Sequence, residues 1–161
     1  MVEDEHYPAD AHLLALGRTV YEFQKLEWVA IWTVCFLIGD WPSEADRLMF
    51  GPIVAMMKEK IDEAGHLPDG DRALLRTWAD SLGAMNTLRQ DMFHWHPVPN
   101  PNEFVRRRPK TDLRIAIDTN RLDAARHRFE VARLEGEKVL YAVWPPLTHA
   151  SIELNLPETD A

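Results

Sequence analysis

Apolar residues recur at alternating intervals of three and four along several stretches of the chain, the spacing that lines one face of a helix. The first stretch predicts a helix over residues 9 to about 38, with Leu13, Leu16, Val20, Phe23, Glu27, Ala30, Val34 and Leu37 as its seam and Gly39 just past its end. Only Glu27 breaks that seam. The second half of this helix is apolar all round, which predicts burial on several sides or contact with another copy. Residues 41–51 open on Pro42-Ser43 and could begin a helix capped by Ser43, but Gly51-Pro52 interrupts it. The firmer second helix covers 52 to about 64, with proline in the first turn and Gly65 beyond the last. A third helix is predicted from about 70 to 94 on the seam Leu75, Trp78, Leu82, Met85, Arg89, Met92, where a charge again intrudes.

Pro97, Pro99 and Pro101 should then end regular structure, because a residue preceding proline is pushed away from helical geometry. Residues 103–108 and 112–117 are two short runs around Pro109-Lys110-Thr111 that can pair as a basic hairpin. The last helix, about 119–143, has the seam Leu122, Ala125, Phe129, Ala132, Gly136, Val139, Val143 and stops at Trp144-Pro145-Pro146. The expectation is an all-α, four-helix up-down bundle with a short basic hairpin or extended excursion before its last helix. Residues 1–144 would form one domain and residues 145–161 a loosely packed tail.

The 161-residue chain carries a formal net charge of −8, which argues against a surface that binds nucleic acid everywhere. The charge is uneven. Residues 105–133 hold nine Lys/Arg against four Asp/Glu, so this stretch is +5 and the remainder −13. The lone Cys35 lies in an apolar run and can form no internal disulfide; with no signal peptide evident, a reducing cytoplasm is the expected compartment. The apolar run 28–38 is too short to cross a bilayer, so no membrane association is expected. The seven histidines repeat no ligand spacing, although His94 and His96 stand close together; no metal or other cofactor is expected. The six tryptophans fit core or interface anchors better than base-stacking platforms. The chain contains no glycine-rich phosphate loop and no paired-cysteine motif.

On a helical wheel Arg89 falls within roughly 20° of the face centred on Trp78, so it should be largely buried. Glu27 holds the corresponding place on the first helix. A buried charge is costly unless paired, so the two are expected to meet, either as a structural ion pair or with Glu27 orienting the guanidinium beside a reaction centre.

The hexapeptide from Arg89 to His94, closing a long third helix in an all-α chain, resembles the Arg-x4-His motif of the HEPN superfamily of helical-bundle proteins. Leu16-Gly17 and Phe23-Gln24-Lys25-Leu26-Glu27 are also similar to the opening of some bacterial members, whereas Gln90 stands where many relatives carry Asn. The resemblance implies metal-independent RNA cleavage, of the toxin or defence type, at a composite site on a dimer interface. Arg89 would stabilise charge on the phosphate, and His94, titrating near pH 6.5 when unperturbed, would accept or donate the proton. Asp91 and Glu27 would orient them. Gln90, His96, Arg106, Arg107, Arg108 and Lys110 would bind single-stranded RNA, with His96 the substitute for His94. Residues five apart on a straight helix point about 140° from each other, so the helix must distort or a second subunit must help, and a homodimer is expected. The superfamily also contains inactive members, which gives the second expectation: a helical bundle that dimerises or binds a protein partner such as an antitoxin.

Overall fold

In the computed structural model four helices run up and down in sequence: α1 (Asp10–Ile38), α2 (Phe50–Glu63), α3 (Asp69–Phe93) and α4 (Thr119–Val143). The structure describes residues 10–39, 44–93, 96–97, 104–107 and 114–144; the expected tail, residues 145–161, lies outside them. Each helix packs on the one before it, and α4 closes the bundle through its long contact with α1. The fold is an all-α four-helix bundle. Among the described residues, no helix is long and apolar enough to cross a membrane.

Local chemistry sets the helix ends. Gly39 adopts a left-handed conformation (φ 69°) and donates its N–H to the Cys35 carbonyl at 2.8 Å, closing α1. Asp118 accepts from the backbone N–H of Arg121 at 2.8 Å and so caps α4. Residues 41–51 do not form a separate helix among the described residues. One 3-10 turn, Glu44–Arg47, occupies the connection, and α2 begins at Phe50 with Pro52 in its first turn, where a missing N–H breaks no helical hydrogen bond.

Three strands separate α3 from α4: β1 (His96–Pro97), β2 (Phe104–Arg107) and β3 (Arg114–Ile117), antiparallel in that order. The pairing of β2 with β3, Phe104 opposite Ile117 and Arg107 opposite Arg114, is the expected basic hairpin. Regular structure does not end before Pro97, as its prolines predict, but continues as strand β1. His96 pairs with Val105 and Pro97 with Phe104, and proline is tolerated because β1 is an edge strand that bonds on one side only.

One phenylalanine from each helix meets at the centre of the bundle. Phe23 of α1 lies 5.1 Å from Phe50 of α2, 5.7 Å from Phe93 of α3 and 5.2 Å from Phe129 of α4, all edge to face, the arrangement that ring quadrupoles favour. The apolar seams expected on α3 and α4 are the buried ones, except that Arg89 of the α3 seam is only half-buried and Leu140 rather than Val139 is buried on α4.

The first half of α1 differs from its sequence reading. Its buried residues are His12, Ala15, Thr19, Phe23 and Leu26, while Leu13 is exposed and Leu16 only partly covered. The helix is turned so that small residues face α4, which lets the two backbones approach. The Thr19 hydroxyl lies 2.8 Å from the Ala15 carbonyl and 3.0 Å from that of Leu122 on α4. Across the same interface Arg133 of α4, 12% exposed, lies 3.4 Å from Glu22 of α1 and 2.5 Å from Glu137. The second half of α1 buries Ala30, Ile31, Thr33, Val34, Cys35 and Leu37, as its all-round apolar sequence required.

Burial of His12 has a pH consequence. Desolvation lowers its pKa from 6.5, and the nearby Asp118 carboxylate only partly opposes this. The folded state therefore favours the neutral imidazole, so its contribution is complete above about pH 6.5 and is lost as pH falls through the lowered folded value. Thermal melts of wild type and His12→Asn should converge as pH drops from 7 to 5. A constant gap between them over that range would exclude this origin.

Candidate functional site

Turning α1 away from its expected face moves Leu16, Val20 and Glu27 out of the core and onto a rim beside the C-terminal end of α3. There they line, with Phe23, Gln24, Arg89 and Phe93, an open pocket of about 440 Å³. Arg89 and Phe93 are four residues apart on α3 and share one face. The Arg89 guanidinium carbon sits 5.7 Å from the centre of the Phe23 ring, within cation–π range, so the ring at the heart of the aromatic cluster also forms the floor under the cation.

The expected meeting of Glu27 and Arg89 takes an unexpected form. Both line the same pocket and feel each other's charge, but their N and O atoms do not come within ion-pair distance. Burial pushes the Glu27 carboxyl above its ordinary 4.5, and the Arg89 guanidinium only partly offsets that. Arg89 is half-buried rather than largely buried, and its Nε is fully covered yet has no hydrogen-bond acceptor. Among the described residues no carboxylate lies within ion-pair distance of Arg89. Among the described residues the most covered ion pair between helices is instead Arg133 with Glu22, whose arginine belongs to the basic stretch 105–133. Its signal was weak, because Glu22 and Arg133 gain meaning only once α1 and α4 are known to pack.

The remaining expected residues fall as follows. Gln90 is exposed and Asp91 half-buried on α3. His94, Arg108 and Lys110 lie outside the described residues. For His96, Arg106 and Arg107 the backbone alone is described, and it is informative. Pairing sets His96 beside Val105, and Val105 beside Ala116, in one row across the three strands. The Arg107–Arg114 row lies two residues further along, roughly 7 Å at strand rise. The basic ribbon is thus hydrogen-bonded to the segment that follows the Arg89 helix within a few residues, where sequence distance alone left it loosely tethered.

A second, smaller groove of about 220 Å³ runs between α3 and α4, lined by Ser81 and Met85 of α3 and by His127, Arg128, Val131 and Glu135 of α4, so both of its full charges stand on one helix. Among the described residues, no group of three or more His, Cys, Asp or Glu is placed to hold a metal ion. Of the tryptophans, Trp78 is buried in the core and Trp28 is exposed on α1, while Trp41 and Trp95 lie outside the described residues. Compared with family models, curated proteins and solved structures, the chain matches none.

Proposed function

We propose that this chain is a HEPN-like protein that binds single-stranded RNA at the Arg89 pocket and cleaves it without metal, as a homodimer. The supporting observation is the state of Arg89: a permanent cation, over the Phe23 ring and among apolar side chains, with a covered Nε that no acceptor among the described residues satisfies. Leaving such a donor unsatisfied is unfavourable, and a phosphate oxygen would satisfy it. In the reaction the RNA 2′-oxygen forms a bond to phosphorus while the bond from phosphorus to the 5′-oxygen breaks. Arg89 stabilises the charge on the phosphate, and His94 takes the 2′-hydroxyl proton or supplies one to the leaving oxygen. Asp91 and Glu27 set the field around the pair. Gln90, His96 and the ribbon of Arg106, Arg107, Arg108 and Lys110 hold the strand.

Wild type should fragment total RNA in the presence of EDTA, and Arg89→Ala and His94→Ala should each lose about 100-fold or more of that rate. Identical RNA profiles for the three proteins would eliminate the nuclease. A second reading, a bundle that dimerises or binds a protein partner, is favoured by the apolar residues Leu13, Leu14, Tyr21 and Trp28 exposed on α1. A dimer by light scattering with no RNA cleavage supports that reading alone.

A further inference from the structure

A phosphate held by Arg89 would leave the α1 side of the pocket, with Gln24 and Glu27, without a ligand. Gln24 and Glu27, three residues apart on α1, stand on one side of it, opposite the cation on α3. Among the described residues the Glu27 carboxylate has neither a hydrogen bond nor an ion pair, although it is half-buried and close enough to Arg89 to feel its charge. It is an acceptor-only group in a poorly hydrated place, and donors would stabilise it. The rest of the lining is Leu16, Val20, Phe23 and Phe93, two aromatic rings and two branched aliphatic side chains. Such walls favour a flat, apolar-faced ligand. The volume, about 440 Å³, lies within the range of small-molecule pockets, roughly 300–1,000 Å³.

The four RNA bases present different edges to a carboxylate. Guanine offers two adjacent donors, N1–H and the N2 amine, which match the two carboxylate oxygens side by side. Adenine and cytosine each place a ring-nitrogen lone pair beside their amine, and uracil places carbonyls on both sides of its single N–H. These lone pairs would face the carboxylate and repel it. The Gln24 amide can donate to the neighbouring O6 of guanine.

We propose that Glu27, assisted by Gln24, selects a guanine base adjacent to the phosphate held by Arg89. This rests on the RNA-binding reading above and adds its sequence preference. Adjacent donors on the base and paired acceptors on the protein give a preference of about 10- to 100-fold over the other bases.

The test uses the full chain and the 3′-monophosphates of guanosine, inosine, adenosine, cytidine and uridine, with affinities measured by calorimetry. Guanosine monophosphate should bind about 10- to 100-fold tighter than the adenosine, cytidine and uridine compounds. Inosine monophosphate, which lacks the N2 amine, should fall between. Glu27→Gln replaces one acceptor oxygen with a donor at constant size and should abolish the guanine preference, read as the ratio of guanosine to uridine monophosphate affinity, because any change in the field at Arg89 acts on all five compounds alike. Arg89→Ala should weaken all five by a similar factor. Equal affinities in wild type, or an undiminished guanine preference in Glu27→Gln with unchanged circular dichroism, would overturn the proposal. RNA cleavage that is indifferent to the base would also overturn it while leaving the nuclease reading intact. Selective guanine binding without RNA cleavage would uphold the pocket and reject the nuclease.

Discussion

Phe23→Ala should lower the stability of this chain by about 3–5 kcal/mol, the usual cost of truncating a buried phenylalanine. For a domain of this length that is a fall in Tm of roughly 6–20 °C. The large value is expected because Phe23 is the member of the cluster that touches a ring from every other helix, at 5.1, 5.2 and 5.7 Å. Removing it leaves a void bounded by α2, α3 and α4 at once, and no single helix can move to fill it without losing its other contacts. The same ring supports Arg89 from below. Phe23→Leu separates the two effects, since it retains most of the volume but lacks a π face. It should recover most of the stability yet weaken phosphate binding at Arg89 several-fold, in line with the ~0.5–2 kcal/mol of a cation–π contact. If the alanine variant melts within about 2 °C of wild type, the aromatic cluster is not the centre of the core.

Gly136→Leu should be nearly as damaging, at about 3 kcal/mol or more, through overpacking rather than a void. A Cβ built at Gly136 of α4 would stand 2.2 Å from Cζ2 and 2.5 Å from Cε2 of the Trp78 ring on α3. The ring cannot swing aside easily. It is 3% exposed, and its indole N–H donates to the Ala132 carbonyl at 2.9 Å, one turn before the glycine. Even Gly136→Ala, which gains about 1 kcal/mol of helix propensity, should be destabilising overall, because the first carbon added already overlaps the indole. The decisive comparison is Gly136→Ala alone against Gly136→Ala with Trp78→Leu. The smaller residue at 78 should cancel most of the alanine's cost, giving strong coupling between the two sites. Simple additivity in chemical denaturation would show that the indole does not hold the glycine in place.

Much of the bundle could be read from residues near one another in the chain. Gly39 ends α1, Pro52 sits in the first turn of α2, and Pro97 follows the end of α3 by a few residues, because glycine and proline act on their own backbone angles. The seams of α3 and α4 were visible because large apolar residues recur along them at helical period, and the same period placed Arg89 on the face shared with Trp78 and Met92. The β2–β3 hairpin followed from two short runs about a proline-containing turn.

Backbone preference and periodic burial over short chain distances account for the four helices, their order and the intrusion of a cation into the third seam. Which face of α1 is buried follows only from its packing on α4. Ala15 and Thr19 give little hydrophobic signal, but opposite α4 they allow an approach that Leu13 and Leu16 would obstruct. That one rotation carried Glu27 from a supposed core position to a pocket rim, separated it from Arg89 and left Glu22 to meet Arg133. Contacts between residues far apart in the chain depend on the distance and rotation of two helices together, and neither quantity is written in the periodicity of one helix alone.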